Sequence, residues 1–282
     1  MLEVKNLCKS YHSFTLDGLN FALPEGYILG FIGQNGAGKS TTIKCLTGVN
    51  EYDEGEIRFF EKDLKTDALE ILQDVGFSSG AMDCYPNETV NKVARVYGLF
   101  FKNFDMDYFT RLCTSFHISP EKKVRELSQG MKVKLGIALA LSHQAKLIIL
   151  DEPTSGLDPV AREEIIDILQ KFIENGDRSV LFSTHITSDL EKCADYILFI
   201  DGGKQILFDT KDNVIESHVL VRGKKENLTD DLDKRLIGRK KTPLGFTGLI
   251  KREDLKDSDE VETERPTLED VMVHYTKEEI VL

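Results

Sequence analysis

The chain has 282 residues, 41% of them hydrophobic, with five cysteines and a formal net charge of −12. That length allows a large buried core and one or two domains. The acidic balance weighs against a general nucleic-acid binder, which needs a positive face, and no stretch approaches the roughly eighteen uninterrupted apolar residues of a spanning helix, so any membrane part is expected on another chain.

The start, Met1-Leu2-Glu3-Val4-Lys5, lacks the pattern of a secretory signal. Cys8, Cys45, Cys84, Cys113 and Cys193 show neither metal nor disulfide spacing, which fits a reducing compartment. Short apolar or alternating stretches at Leu2 to Leu7 and Leu16 to Leu23 predict strands. The apolar run Tyr27 to Ile32 predicts a buried strand feeding a tight turn and then a helix that starts near Lys39. Gly55 to Phe60 is a further short strand, and Asn87 to Phe101 predicts a helix with Val90, Val93, Ala94 and Tyr97 on one face. The chain stays largely helical in character to about Gln144, so a helical insert over about 87–144 is expected.

Leu147 to Leu150 predicts a central parallel strand, buried on both faces. Pro159 leads a helix over Val160 to Glu174 that stops at Asn175-Gly176, and Val180 to Thr184 is the next buried strand. Ile197 to Ile200 and Gln205 to Phe208 flank Asp201-Gly202-Gly203-Lys204, a hairpin pattern. From Asp209 onward the composition turns charged, with an acidic run at Asp257, Asp259, Glu260, Glu262 and Glu264. A small accessory region over 211–282, α+β or partly mobile in character, is expected there.

Two of these junctions carry chemistry. Gly33-Gln34-Asn35-Gly36-Ala37-Gly38-Lys39-Ser40-Thr41 is a complete phosphate-binding loop of the form G-x-x-x-x-G-K-S. Its glycines let the backbone curl so that the N–H groups of Gly33, Asn35, Gly36, Ala37 and Gly38 face a phosphate. Lys39 can reach the outer phosphates, the Ser40 hydroxyl can hold Mg²⁺, and the helix carrying Thr41 adds its positive end. Downstream, Asp151-Glu152 closes a strand, the place where an open α/β sheet positions ligands. Asp151 suits Mg²⁺, directly or through water. On an extended chain Glu152 points away from Asp151, toward a water beyond the γ-phosphate.

Further segments bring a family into view. Leu127-Ser128-Gln129-Gly130-Met131 resembles the signature LSGGQ, with Gln129 in place of a glycine and Met131 in place of the final glutamine. Together with Tyr11, Ser155-Gly156-Leu157-Asp158 and His185, in family order and nearly family spacing, it makes residues 1–210 resemble the ATP-binding subunit of an ABC transporter, specifically ABC-2 type exporter subunits of Gram-positive bacteria. The resemblance implies an α/β fold: a P-loop nucleotide-binding domain with an antiparallel β subdomain, an α-helical subdomain and the small C-terminal accessory region. It makes Tyr11 the aromatic that stacks on adenine, where the residue alone would equally be packing. Ser128, Gln129 and Gly130 become a grip on the γ-phosphate of a neighbouring subunit, where alone they read as a helix cap. Asp158 becomes a cross-interface contact, and His185 a γ-phosphate contact that orients Glu152. Gly80 stands where the family has a glutamine that helps coordinate Mg²⁺ and touches the membrane partner.

The expected function follows from the resemblance. Two such chains, identical or not, would dimerise head to tail over MgATP and hydrolyse it, with Lys39, Glu152 and His185 catalytic and Ser40 and Asp151 on the metal. That motion would drive transmembrane permease subunits on separate chains, with this subunit peripheral at the cytoplasmic face of the membrane and no direct nucleic acid. The alternatives are a soluble ATPase of the same superfamily acting on ribosomes or DNA, which usually carries two cassettes or a long coiled-coil insertion, and a nonhydrolytic regulatory cassette.

Overall fold

Alternating burial at the N-terminus builds two long antiparallel strands, β1 (Leu2–Tyr11) and β2 (Phe14–Leu23), joined by a tight turn in which Tyr11 faces Phe14. The structure, a computed structural model, describes residues 1–79, 85–242 and 245–276. It divides into two compact units, Met1–Gln205 and Ile206–Leu282.

In the first unit the chain continues through β3 (Ile28–Ile32), α1 (Lys39–Leu46), β4 (Glu54–Phe59), β5 (Lys62–Asp63), α2 (Leu64–Ile71) and β6 (Val75–Ser79). Three helices follow, α3 (Val90–Gly98), α4 (Met106–Ser115) and α5 (Gln129–Ser142). Then come β7 (Leu147–Asp151), α6 (Pro159–Ile173), β8 (Ser179–Thr184), α7 (Thr187–Cys193), β9 (Tyr196–Asp201) and β10 (Lys204–Thr210), through which the chain passes to the second unit.

The strands form an antiparallel run, β5-β4-β1-β2, and a parallel run, β9-β3-β8-β7-β6, joined through the start of β10, where Lys204 pairs with Asp17. Composition explains the division. All five residues of β3 and all six of β8 are buried, as strands covered on both faces must be. Strand β1 alternates buried and exposed positions from Leu2 to Lys5, as a half-solvated strand does. The helical segment between β6 and β7 begins where Thr89 caps α3 by accepting from the Lys92 N–H, and it buries Val90, Val93 and Ala94. Helix α5 is buried almost throughout. Each of its fully buried Leu135, Ile137 and Leu139 side chains contributes on the order of 2 kcal/mol.

The second unit holds α8 (Lys211–Glu216), β11 (His218–Lys224), α9 (Asp230–Arg235), β12 (Ile237–Thr242), β13 (Gly245–Lys251), β14 (Glu262–Glu264) and α10 (Leu268–Thr276). Its sheet is antiparallel in the order β12-β13-β11-β14, over a core of Val219, Val221, Leu232, Phe246 and Ile250.

Candidate functional site

The parallel run brings three strand ends together. Strand β8 lies between β3 and β7, so the turn after β3, the carboxylates after β7 and the histidine after β8 open on the same edge of the sheet. A cleft of about 230 Å³ lies there, lined by Phe14, Gln34, Asn35, Gly36, Gly38, Lys39, Ser40, Thr41 and Glu152.

Glycine is required at two points of this turn. A Cβ on Gly33 would stand 2.5 Å from the Ile200 carbonyl oxygen, and Gly38 holds φ +113° with its missing Cβ 2.8 Å from the Phe14 ring. Gly38 is also the residue that opens α1, so the positive end of that helix faces the cleft. The buried Lys39 threads back under the loop, where Nζ donates to the carbonyls of Gly33 (2.8 Å) and Gln34 (3.3 Å). Ser40 is exposed at the mouth of the cleft.

Glu152, just past β7, meets this loop, while Asp151 at the strand end does not line the cleft. Lys39 Nζ lies 3.2 Å from Glu152 Oε1, and His185 Nδ1 lies 2.7 Å from Glu152 Oε2. An ionised carboxylate only accepts, so Nδ1 carries the shared proton. Oε1 is buried and has no hydrogen-bond partner, so its contact with Lys39 is an ion pair with poor hydrogen-bond direction. Glu152 thus stands between Lys39 and His185, although the sequence places Lys39 more than a hundred residues before either.

Glu152 corrects one expectation. It is not on an extended chain but in the left-handed region, φ +52°, which for a residue with a Cβ costs on the order of 1–2 kcal/mol. The kink, rather than strand alternation, turns its carboxylate toward Lys39 and His185. Ser183 of β8 holds it: the Glu152 N–H donates to the Ser183 carbonyl (3.1 Å) and to Ser183 Oγ (3.0 Å), and Ser183 Oγ donates to Asp151 Oδ1 (2.6 Å). Ser183 was not a sequence candidate. Its one signal is a hydroxyl in an otherwise apolar run immediately before Thr184-His185.

Phe14 was missed as well. Tyr11, the expected aromatic, does not line this cleft. It sits half-exposed across the β1–β2 turn, its hydroxyl accepting from Asn50 Nδ2 (2.7 Å) and its ring 5.6 Å from Lys9 Nζ. Its cross-strand neighbour Phe14 packs on the loop instead.

Ser128, Gln129, Gly130 and Asp158 do not line the cleft either. They form a second group. Ser128 caps α5, its Oγ accepting from the Met131 N–H (3.3 Å). Asp158 caps α6, its Oδ1 accepting from the N–H groups of Val160 and Ala161 (both 3.0 Å), ahead of Pro159 in the first turn. The two caps are neighbours, because a Cβ on the buried Gly130 would lie 3.4 Å from Ala161 Cβ and 3.8 Å from Leu157. Gly80 lies outside the described residues.

The donor set suits Mg²⁺. Ser183 fixes one oxygen of Asp151, and the exposed Ser40 hydroxyl adds a hard oxygen. Among the described residues there is no cluster of three metal-binding side chains. No helix among the described residues is long and apolar enough to cross a membrane.

Comparison with known proteins agrees with this geometry. A family model described as ABC transporter matches residues 16–155. The bacitracin transport ATP-binding protein BcrA of Bacillus licheniformis is 35% identical over 217 residues, covering 74% of this chain and 70% of that protein. The lantibiotic transport ATP-binding protein SrtF of Streptococcus pyogenes is 35% identical over 221 residues, covering 77% and 95%. The solved structure of an ATP binding subunit of an ABC transporter superposes with a TM-score of 0.69 at 27% identity, covering 76% of this chain and 91% of that one.

Proposed function

This chain belongs to the ABC transporter family as an ATP-binding subunit, and we propose that it hydrolyses ATP at a site completed by a second cassette, so driving an exporter. The observation that carries the hydrolytic reading is the contact of Glu152 with both Lys39 and His185 at the mouth of the phosphate loop.

The backbone N–H groups of Gly36, Gly38, Lys39 and Ser40 and the positive end of α1 bind the phosphates; the Ala37 N–H, expected to join them, is given to the Gln34 carbonyl (3.1 Å) instead. Incoming phosphate oxygens compete with Glu152 for Lys39, which then neutralises charge developing on the transferred group. Glu152, released from Lys39 but still held by His185, takes the proton of the attacking water. Ser40 and Asp151 hold Mg²⁺, which supplies further neutralisation of phosphate charge when bound. Ser128 to Gly130 and Asp158 serve the neighbouring subunit's nucleotide, which accords with their position outside this chain's own cleft. Tyr11 takes the adenine at the rim of the hairpin.

The family assigns the subunit to a membrane machine, and we place it peripherally at the cytoplasmic face, against permease chains. The turn after α3 supports such a contact. Leu99 and Phe100 are 84% and 71% exposed, yet the turn is held firmly, with Gln73 bonded to the Phe100 carbonyl and the Lys102 N–H (both 3.0 Å). Relatives named for bacitracin and lantibiotic transport support antimicrobial peptides as the cargo class.

Steady-state phosphate release by the purified Glu152→Gln variant tests the chemistry. The amide nearly matches the carboxylate in shape but is no base, so turnover falls by ~10²–10⁴-fold while ATP binding is kept. Wild-type turnover in this variant removes Glu152 from the mechanism.

A further inference from the structure

The two groups of site residues are joined by one buried ion pair. Arg162, one turn into α6 from the Asp158 cap, donates from Nη2 to Asp189 Oδ1 at 2.8 Å and reaches Ser188 Oγ at 3.5 Å. Asp189 is four residues beyond His185, in the first turn of α7, and its side chain is only 3% exposed against 25% for Arg162. Both partners carry an unmet valence: Asp189 Oδ2 and Arg162 Nε are buried without hydrogen bonds. A buried acid with one charge-assisted bond and an idle oxygen is a poor source of stability, since its desolvation offsets most of the attraction. Its position offers a different use.

Helices α6 and α7 are tied at several points. Lys192, at the C-terminal end of α7, pairs with Glu163, the residue after Arg162 in α6, and its carbonyl accepts from Gln170 Nε2 at 3.2 Å. Arg162–Asp189 is the tie at the N-terminal turn of α7. The Arg162 N–H donates to the Asp158 carbonyl (3.0 Å) and the Asp189 N–H to the Ile186 carbonyl (3.2 Å), so each partner is one hydrogen bond from a functional loop. We propose that Arg162 and Asp189 are positioning residues. Their bond fixes the distance between the Ser155–Asp158 loop, which faces a second cassette, and His185, which holds Glu152. Engagement of that loop by a partner would thereby be felt at the hydrolytic carboxylate. The inference rests on the composite-site reading above.

The test uses the full-length chain in four forms: wild type, Arg162→Ala, Arg162→Lys and Asp189→Asn, with Glu152→Gln in parallel. Phosphate release gives kcat and KM, titration with ATP gives affinity, and thermal denaturation reports folding. We expect Arg162→Ala and Asp189→Asn to lower kcat at least 10-fold with KM and ATP affinity within about 2-fold of wild type. Arg162→Lys, which keeps the charge, should recover part of kcat. If Arg162→Ala does not fold, Asp189→Asn, which keeps the shape of the side chain, reads the same coupling. Wild-type kcat in either folded variant overturns the inference, as does a kcat loss that only tracks lost ATP affinity or melting temperature. Such an outcome with an inactive Glu152→Gln leaves the hydrolytic reading standing; an active Glu152→Gln removes that reading itself.

Discussion

The phosphate-loop group and the Ser128–Asp158 group differ in what their polar atoms already hold. In the first, three parallel strand ends converge. Lys39 and His185 each touch Glu152, which keeps a strained backbone and a buried oxygen without a hydrogen bond. In the second, both side chains are occupied in capping their own helices, and the surface they present is relaxed. At Glu152 the strain and the unpaired oxygen fall where the chemistry of a single chain is arranged. A group whose valences are locally met gains its role only against another molecule. The contrast fits the proposal that one chain holds a nearly complete reaction centre which a second completes.

After loss of the Glu152 carboxylate, removing the positive charge from the first group gives the largest expected effect. Lys39→Ala should weaken MgATP binding and lower turnover by ~10²–10³-fold, since the lysine acts on developing phosphate charge. The fold should survive, read by calorimetric ATP titration beside circular dichroism. Unchanged affinity together with unchanged turnover would break the distinction between the groups.

A smaller effect separates the two aromatics of the hairpin. Phe14 packs against Gly38, so Phe14→Ala should weaken ATP and inorganic tripolyphosphate alike, by about 2–10-fold. Tyr11→Ala should weaken ATP and leave tripolyphosphate unchanged. Competition binding with the two ligands reads this directly, and equal behaviour of the two variants would show that the hairpin acts as one surface.

The smallest effect concerns the far end of the helix that Ser128 caps. His143 ends α5, buried beside Tyr97 and Phe101, with Nδ1 donating to the Gln73 carbonyl at 3.1 Å and Nε2 lacking any hydrogen-bond partner. Burial holds its pKa below the ordinary 6.5, outweighing that hydrogen bond. A base with a lowered folded pKa contributes stability that is full above the unfolded value and is lost as pH falls below it. Wild-type melting temperature should therefore drop between pH 7.5 and 5.5 more steeply than that of His143→Phe. Parallel slopes would show that His143 is not the group that charges.

Legibility in the sequence followed the same division. The loop Gly33 to Thr41 and the pair Asp151-Glu152 could be read because phosphate and metal chemistry need those groups in one short string. The direction of Glu152 could not, because its kink depends on Ser183, 31 residues away on a neighbouring strand. Phe14 was hidden by register: only the Tyr11–Phe14 turn decides which aromatic meets the loop. In the second unit, β12 (IGRKKT) has almost no apolar pattern and pairs through its backbone ladder with β13, so composition could not reveal it. The roles of Ser128 and Asp158 came from family resemblance, since each alone reads as the helix cap it also is.

The central claim is that hydrolysis needs the phosphate loop of one cassette and Ser128 of another. Mixing Lys39→Ala with Ser128→Arg tests it most directly, repeated with any companion cassette co-expressed so that an obligate heterodimer is covered. Each variant alone spoils both shared sites of its own dimer, whereas a mixed head-to-tail pair keeps one intact. We expect turnover in the mixture well above the sum of the separate variants, rising faster than protein concentration while monomers dominate. Turnover equal to that sum, or wild-type activity in Ser128→Arg alone at any dilution, would contradict a site shared between subunits.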